Sequence, residues 1–218
     1  MDTRPRLLLP LLLVLGAVLS YAVLSIPDPA QELPTMLTDN MTISGAHNPV
    51  SAVLLNFRGY DTLLEMGVLL AALLGVWSLD EMPTYHGSAP DQILDIMSRQ
   101  LIPVFILVAG YLVWAGADAP GGAFQAGALL GAACVLLRLC GWRVNNRYSG
   151  LPLRVLLVLG LAMFVMVGTG ALLIGSEFLR YPPTVASELM LIIESAATLS
   201  IGATLAALFL GGRPKGEE

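Results

Sequence analysis

Glu65 and Glu194 each stand inside a run of apolar residues long enough to cross a bilayer. A carboxylate at the centre of a membrane costs about 2.5–3.5 kcal/mol on insertion scales, so each of these must face protein, water or a cation. The chemistry open to such a group is the uptake and release of H+ or Na+. Asp61 precedes Glu65 by four residues, on the same helical face. Both read in two ways: as a site that takes up ions from the external side, or as interfacial carboxylates compensated by Arg58 or by a basic group on another subunit. Glu194 is followed by Thr198 and Gly202 at four-residue intervals, a small and polar stripe of the kind that packs against another helix. It reads either as a group that exchanges a proton for a cation or as one that hydrogen-bonds a neighbouring helix and fixes packing.

The stretch from Ala115 to Phe124 carries Asp118, Pro120, Gly121 and Gly122. Proline followed by two glycines ends one helix and starts the next with a sharp reversal, and Asp118 is placed to cap or to accept from the freed amides. Ala123, Gly127 and Gly131 then recur every four residues and let another helix approach closely. The expectation here is a tight hairpin and a packing groove. His47 and His86 have no partner at ligand spacing, and Cys134 and Cys140 fall on different faces of one helix, so no metal site, disulfide or cofactor site is expected.

The elements that must position these residues follow from composition. Of 218 residues 56% are hydrophobic and 12% charged, with a mean hydropathy of +0.76, which describes an integral membrane protein. A hydrocarbon core of roughly 30 Å needs about 20 helical residues. The runs 7–26, 60–79, 101–116, 123–140, 151–175 and 189–212 meet or approach that length. The third is the shortest and spans if Trp114 sits in the headgroup belt while Arg99 snorkels. Backbone amides in lipid must be satisfied within their own segment, and the alternation of a barrel is missing, so the expected fold is all-α: a polytopic membrane protein of six transmembrane helices. The first run follows Arg4 and Arg6 but is too long for a signal-peptide core and has no cleavage site before Pro27, so it reads as an uncleaved helix. With the N-terminus inside, nine of the cations (Arg4, Arg6, Arg99, Arg138, Arg143, Arg147, Arg154, Arg213 and Lys215) fall on the cytoplasmic side, against Arg58 and Arg180 outside, so both termini are expected in the cytoplasm. The few scattered cations, with a net charge of -5, exclude a nucleic-acid partner.

Composition divides the chain into a two-helix module over 1–80, a cytoplasmic linker over 81–98 punctuated by Pro83, Gly87 and Pro90, and a four-helix module over 99–218. Asp91 to Arg99 reads as a short interfacial helix, and His47 to Phe57, at the end of a long external loop, as an amphipathic segment lying along the surface.

The stretch from Asn48 through Arg58-Gly-Tyr-Asp61-Thr-Leu-Leu-Glu65 to Leu69 resembles the distal end of the large, antiporter-like component of Mrp-type multisubunit Na+/H+ antiporters. Residues 99–212 resemble a second component of the same complexes, the MnhB family, through the Gly-x-x-x-Pro-Gly-Gly-x-Phe turn at Gly116 to Phe124 and the glutamate of Ile192-Ile193-Glu194 in the last helix. The family's turn commonly carries a His near Asp118 and more glycine after Pro120; Ala117 and Ala123 stand here instead, so no role of that His carries over. The resemblance implies a fusion of the end of the large component with MnhB, without the antiporter-like domain that ordinarily precedes this region in the large component. It implies a non-catalytic subunit of a cation/proton antiporter in the prokaryotic inner membrane, with other subunits and the lipid bilayer as partners and Na+ and H+ as cargo. Glu65 would line or guard the ion path and Glu194 would support it electrostatically. The alternative is a structural or coupling subunit of a redox-driven pump of the complex I or membrane-bound hydrogenase kind. A pure scaffold also fits the glycine-rich faces. An enzyme does not, for want of a Ser/His, paired-Asp or metal-ligand cluster, and an autonomous transporter would need broken-helix repeats that this sequence lacks.

Overall fold

A computed structural model describes residues 4–25, 33–79, 92–141 and 150–210, which form helices and turns with no strand among them. The chain falls into two compact units, Met1–Asp39 and Asn40–Glu218. The first contains α1 (Arg4–Leu24), an apolar helix with Pro10 inside it, and the beginning of α2 (Leu33–Ser44).

The second unit starts at the end of α2, which Gly45 closes in the left-handed region at φ 66°. A Cβ there would lie 2.7 Å from Ala186 Cβ and 2.8 Å from the Pro183 carbonyl oxygen, so the position needs glycine both for its backbone and for its space. A short helix, α3 (Pro49–Ser51), runs directly into a π-helical stretch, Ala52–Phe57. The long helices follow: α4 (Gly59–Ser78), α5 (Gln92–Ala115), α6 (Ala123–Leu139), α7 (Leu151–Leu173) and α8 (Ala186–Leu210).

Helix α8 forms the centre. Of its membrane-length stretch 61% is buried, against 22%, 17% and 28% for α4, α5 and α7, and it packs on α6, α7, α4 and α5. Small residues make this possible. A Cβ on Gly127 would lie 2.7 Å from Ile201 Cβ, and one on Gly202 would lie 2.9 Å from Leu130 Cβ and 3.2 Å from the Gly127 carbonyl oxygen. Gly127 and Gly131 of one expected stripe and Gly202 of the other therefore form the seam along which α6 and α8 meet. On the other side of α8, Ser200 Oγ donates to the Leu157 carbonyl of α7 at 2.6 Å, and Gly160 lets the two backbones close. Phe164, Met190, Ile193, Ile201, Met66 and Leu55 fill the core between these helices.

Helices α4, α5, α7 and α8 are long and apolar enough to cross a membrane, so the chain is a multi-pass membrane protein. Of the other two expected spans, α6 has 17 residues, and α1 is an apolar helix of 21 residues. Helix α5 corrects one expectation. It runs unbroken from Gln92, so residues 92–99 are its first turns and not a separate interfacial helix. An ion pair between Asp95 and Arg99 at 3.0 Å braces those turns, and Cys140 Sγ lies 2.9 Å from Ser98 Oγ. Cys134 and Cys140 are both free thiols. His86, Arg143, Arg147, Arg213, Lys215 and the linker from 81 to 91 lie outside the described residues.

Candidate functional site

The turn between α5 and α6 is built by backbone carbonyls. The amides of Gly116 and Gly122 both donate to the Leu112 carbonyl at 3.0 Å, and those of Asp118 and Ala119 donate to the Ala115 carbonyl at 3.0 and 2.7 Å. Asp118 is exposed and its carboxylate accepts no hydrogen bond among the described residues, so the capping role expected for it is not taken. The N-cap of α6 is Gly122, with no side-chain cap. Pro120 breaks the chain, and glycine does the rest. Gly122 holds φ 118° and ψ 178°, a conformation essentially confined to glycine. A Cβ on Gly121 would overlap the Leu112 carbonyl oxygen.

Those glycines leave room for Glu194. A Cβ on Gly116 would lie 3.2 Å from Glu194 Oε2, and one on Gly122 would lie 3.3 Å from Glu194 Oε1, so the carboxylate rests against both ends of the turn. Glu194 is only 7% exposed. The ion pairs among the described residues are Arg58–Asp61, Asp95–Arg99 and Glu177–Arg180, so Glu194 has no cationic partner there, and its carboxylate accepts no hydrogen bond from them. One turn on, Thr198 Oγ1 donates to the Glu194 backbone carbonyl at 2.7 Å and reaches the Ala123 carbonyl at 3.5 Å, tying this turn of α8 to the start of α6. Two features separated by some seventy residues in sequence, the Pro-Gly-Gly turn and the last-helix glutamate, are thus one site.

The turn is also held from its other side, by residues that sequence reasoning passed over. Asn48 caps α3: its Oδ1 accepts from the Val50 amide at 3.0 Å, with Pro49 in the first turn. Its Nδ2 donates to the carbonyls of Ala119 at 2.7 Å and Gly116 at 3.4 Å, and Ser51 Oγ donates to the same Gly116 carbonyl at 2.5 Å. The Asn-Pro pair signals a cap in sequence, but nothing local reveals that the cap's amide would reach the turn. The segment from His47 to Phe57 is amphipathic as expected. Its buried face, Asn48, Ser51, Ala52 and Leu55, packs on protein, which corrects the picture of a helix merely lying on the membrane surface.

Beyond the π-helical stretch α4 carries the other two acidic residues. Arg58 and Asp61 form an ion pair on the surface, with side chains 69% and 45% exposed. Glu65 is exposed as well. It lines an open groove of about 620 Å³ together with Arg58, Asp61, Leu64, Val68, Leu69 and Phe124. Phe124 belongs to the start of α6, two residues after the glycine that touches Glu194. Glu65 and Glu194 are accordingly not one cluster: Glu194 is enclosed by this chain, whereas Glu65 faces away from it.

Residues 93–212, more than half of the chain and including the turn and Glu194, match the family model of the domain related to the MnhB subunit of Na+/H+ antiporter. The chain belongs to that family. Residues 7–86 match a second model, MbhE, which describes one of the subunits of MBH. A probable K(+)/H(+) antiporter A/B protein of Rhizobium meliloti (strain 1021) is 29% identical over 217 residues, covering 82% of this chain and 21% of that protein. The chain therefore spans about a fifth of the length of this curated relative. Two solved structures share the fold, each with a TM-score of 0.66. One is a chain of the Mrp complex from Dietzia sp. DQ12-45-1b, at 23% identity, covering 100% of this chain and 27% of that one. The other is a chain of the membrane-bound sulfane sulfur reductase, an archaeal respiratory membrane complex, at 24% identity, covering 96% of this chain and 98% of that one.

Proposed function

We propose that this MnhB-family chain is a non-catalytic subunit of a multisubunit cation/proton antiporter in the prokaryotic inner membrane, and that Glu194 handles the exchanged proton or cation. One observation carries the reading: Glu194 is buried, unpaired among the described residues, and seated against the glycines of the turn that lies within the family match. A buried carboxylate is tolerated only when a proton, a cation or a partner group compensates it, and an ion-exchanging site needs that compensation to be exchangeable. Glu65 supports a multisubunit assembly from the opposite direction. An exposed carboxylate in a membrane-length helix calls for water, an ion or another subunit over the groove it lines. Asp61, already engaged by Arg58, serves as the outer flank of that groove.

The arrangement that goes with this function is six crossings with both termini in the cytoplasm, α6 being the shortest of the six helices. The proposed modules are 1–80, resembling the end of the large Mrp component, and 99–218, the MnhB-like part; of the stretch 81–98 between them, residues from Gln92 on already belong to α5. Na+ and H+ are the proposed cargo. The relative described as a K(+)/H(+) antiporter protein makes K+ the cation to test beside Na+.

A second reading, a structural or coupling subunit of a redox-driven ion pump, is favoured by one observation: the likeness to the chain of the sulfane sulfur reductase runs end to end in both molecules. The experiment that tests the first reading is antiport in inverted membrane vesicles, read as collapse of a pH gradient on adding Na+ or K+. Glu194→Gln keeps size and shape but not charge and should abolish exchange with the complex still assembled. Glu65→Gln should do the same if it lines the path. Full exchange in both variants would remove these carboxylates from ion movement, and co-purification with redox subunits would favour the second reading.

A further inference from the structure

We propose that Asn48 and Ser51 are positioning residues for Glu194, acting through Gly116. Gly116 is engaged on both of its sides. Its carbonyl oxygen receives Ser51 Oγ at 2.5 Å and Asn48 Nδ2 at 3.4 Å, while its Cα face, where a side chain would be, lies against Glu194 Oε2. Asn48 makes a second and shorter bond to the Ala119 carbonyl, so the clamp takes hold of the turn at two points three residues apart. Asn48 and Ser51 are 6% and 8% exposed, and a buried donor that lost these acceptors would be left unsatisfied, so the clamp does not open cheaply.

The clamp is itself braced on the α4 side. The π-helical stretch ends with the Arg58 amide on the Val53 carbonyl at 2.8 Å, and Thr62 Oγ1 of α4 donates to the Leu54 carbonyl at 2.6 Å. A continuous set of hydrogen bonds therefore runs from α4 through residues 48–57 to the glycine turn, which rests on the Glu194 carboxylate. The part of the chain that resembles the large Mrp component thus sets how closely the MnhB-like part encloses its buried glutamate.

This rests on the reading of Glu194 as an ion-handling group, and the test separates the two. Full complex in inverted vesicles is treated with dicyclohexylcarbodiimide, and the adduct on Glu194 is followed by mass spectrometry beside the apparent KM for Na+ and for K+. Asn48→Ser retains an N-cap oxygen but no longer reaches the turn, and Ser51→Ala removes the other donor. Each should speed labelling of Glu194 about five-fold, the factor expected for one hydrogen bond of ordinary net strength, and raise the cation KM in the same sense. Asn56→Ala is the control: it removes the bond from Asn56 Nδ2 to the Ser44 carbonyl, in the same segment but away from the turn, and should leave labelling and KM unchanged. The proposal is overturned if the Asn48 and Ser51 variants label at the parent rate, or if Asn56→Ala accelerates labelling as much as they do. Should Glu194→Gln retain antiport, the functional reading fails, while the labelling rates still decide whether the clamp positions Glu194.

Discussion

Gly122→Ala puts the site under the sharpest strain that a single methyl group can apply. At φ 118° and ψ 178° an L-residue pays about 1–3 kcal/mol in the backbone alone. The added Cβ would stand 3.3 Å from Glu194 Oε1 and 3.5 Å from Gln125 Oε1, so it also takes the space beside the carboxylate. Two effects should appear together. For a chain of this size each kcal/mol lowers the thermal midpoint by about 2–4 °C, so the purified complex should unfold several degrees earlier. Exchange should fall further than stability accounts for, because the methyl group crowds the Glu194 carboxylate directly. Gly110→Ala is the reference substitution: it lies inside α5 with nothing within 4 Å of its Cβ position, and should be neutral or stabilise by about 0.5–1 kcal/mol. A Gly122→Ala complex that melts and exchanges like the parent would refute the turn geometry and its contact with Glu194 together.

Gly127→Ala forces a Cβ to 2.7 Å from both Ile201 Cβ and Cγ2, about 1 Å inside an ordinary carbon contact, so α6 and α8 must part at a cost of about 1–3 kcal/mol, read as a lower midpoint in the same melting assay. Ser200→Ala removes the 2.6 Å bond to the Leu157 carbonyl and should cost about 0.6 kcal/mol, at most about 1.7, the range for hydrogen bonds between membrane helices. Tyr181, in the loop between α7 and α8, has a buried hydroxyl without a partner among the described residues, and burial pushes its phenol pKa well up. Tyr181→Phe should therefore be neutral or stabilise by about 1–3 kcal/mol in a melt of the complex, and a loss of stability would reveal a partner group from another subunit.

The helices were legible because lipid imposes a length and an apolar content that no soluble context requires, and the Pro-Gly-Gly turn because proline and glycine break helices for local reasons. The two small-residue stripes, Ala123, Gly127 and Gly131 on one helix and Thr198 and Gly202 on another, are legible from spacing alone. What spacing does not encode is which face meets which. Glu194 and the turn were each singled out, but their meeting depends on how α6 and α8 cross, a property of two surfaces. Asn48 and Ser51 stayed hidden for a related reason: a polar residue near a helix start satisfies local rules equally well whether or not its spare donor reaches across the fold. The start of α5 was misplaced because Asp95 and Arg99 look like surface residues, although charges four apart also brace a continuous helix.

The π-helical stretch makes the length of residues 52–57 matter as much as their identity. Such a segment holds one residue more than an α-turn would use, and that surplus rotates everything upstream by about 100° relative to α4. Deleting a single residue there would let an ordinary α-helix close and would swing Asn48 and Ser51 off the Gly116 carbonyl without altering either side chain. Relatives with a shortened segment should therefore have abandoned the clamp even where both polar residues persist.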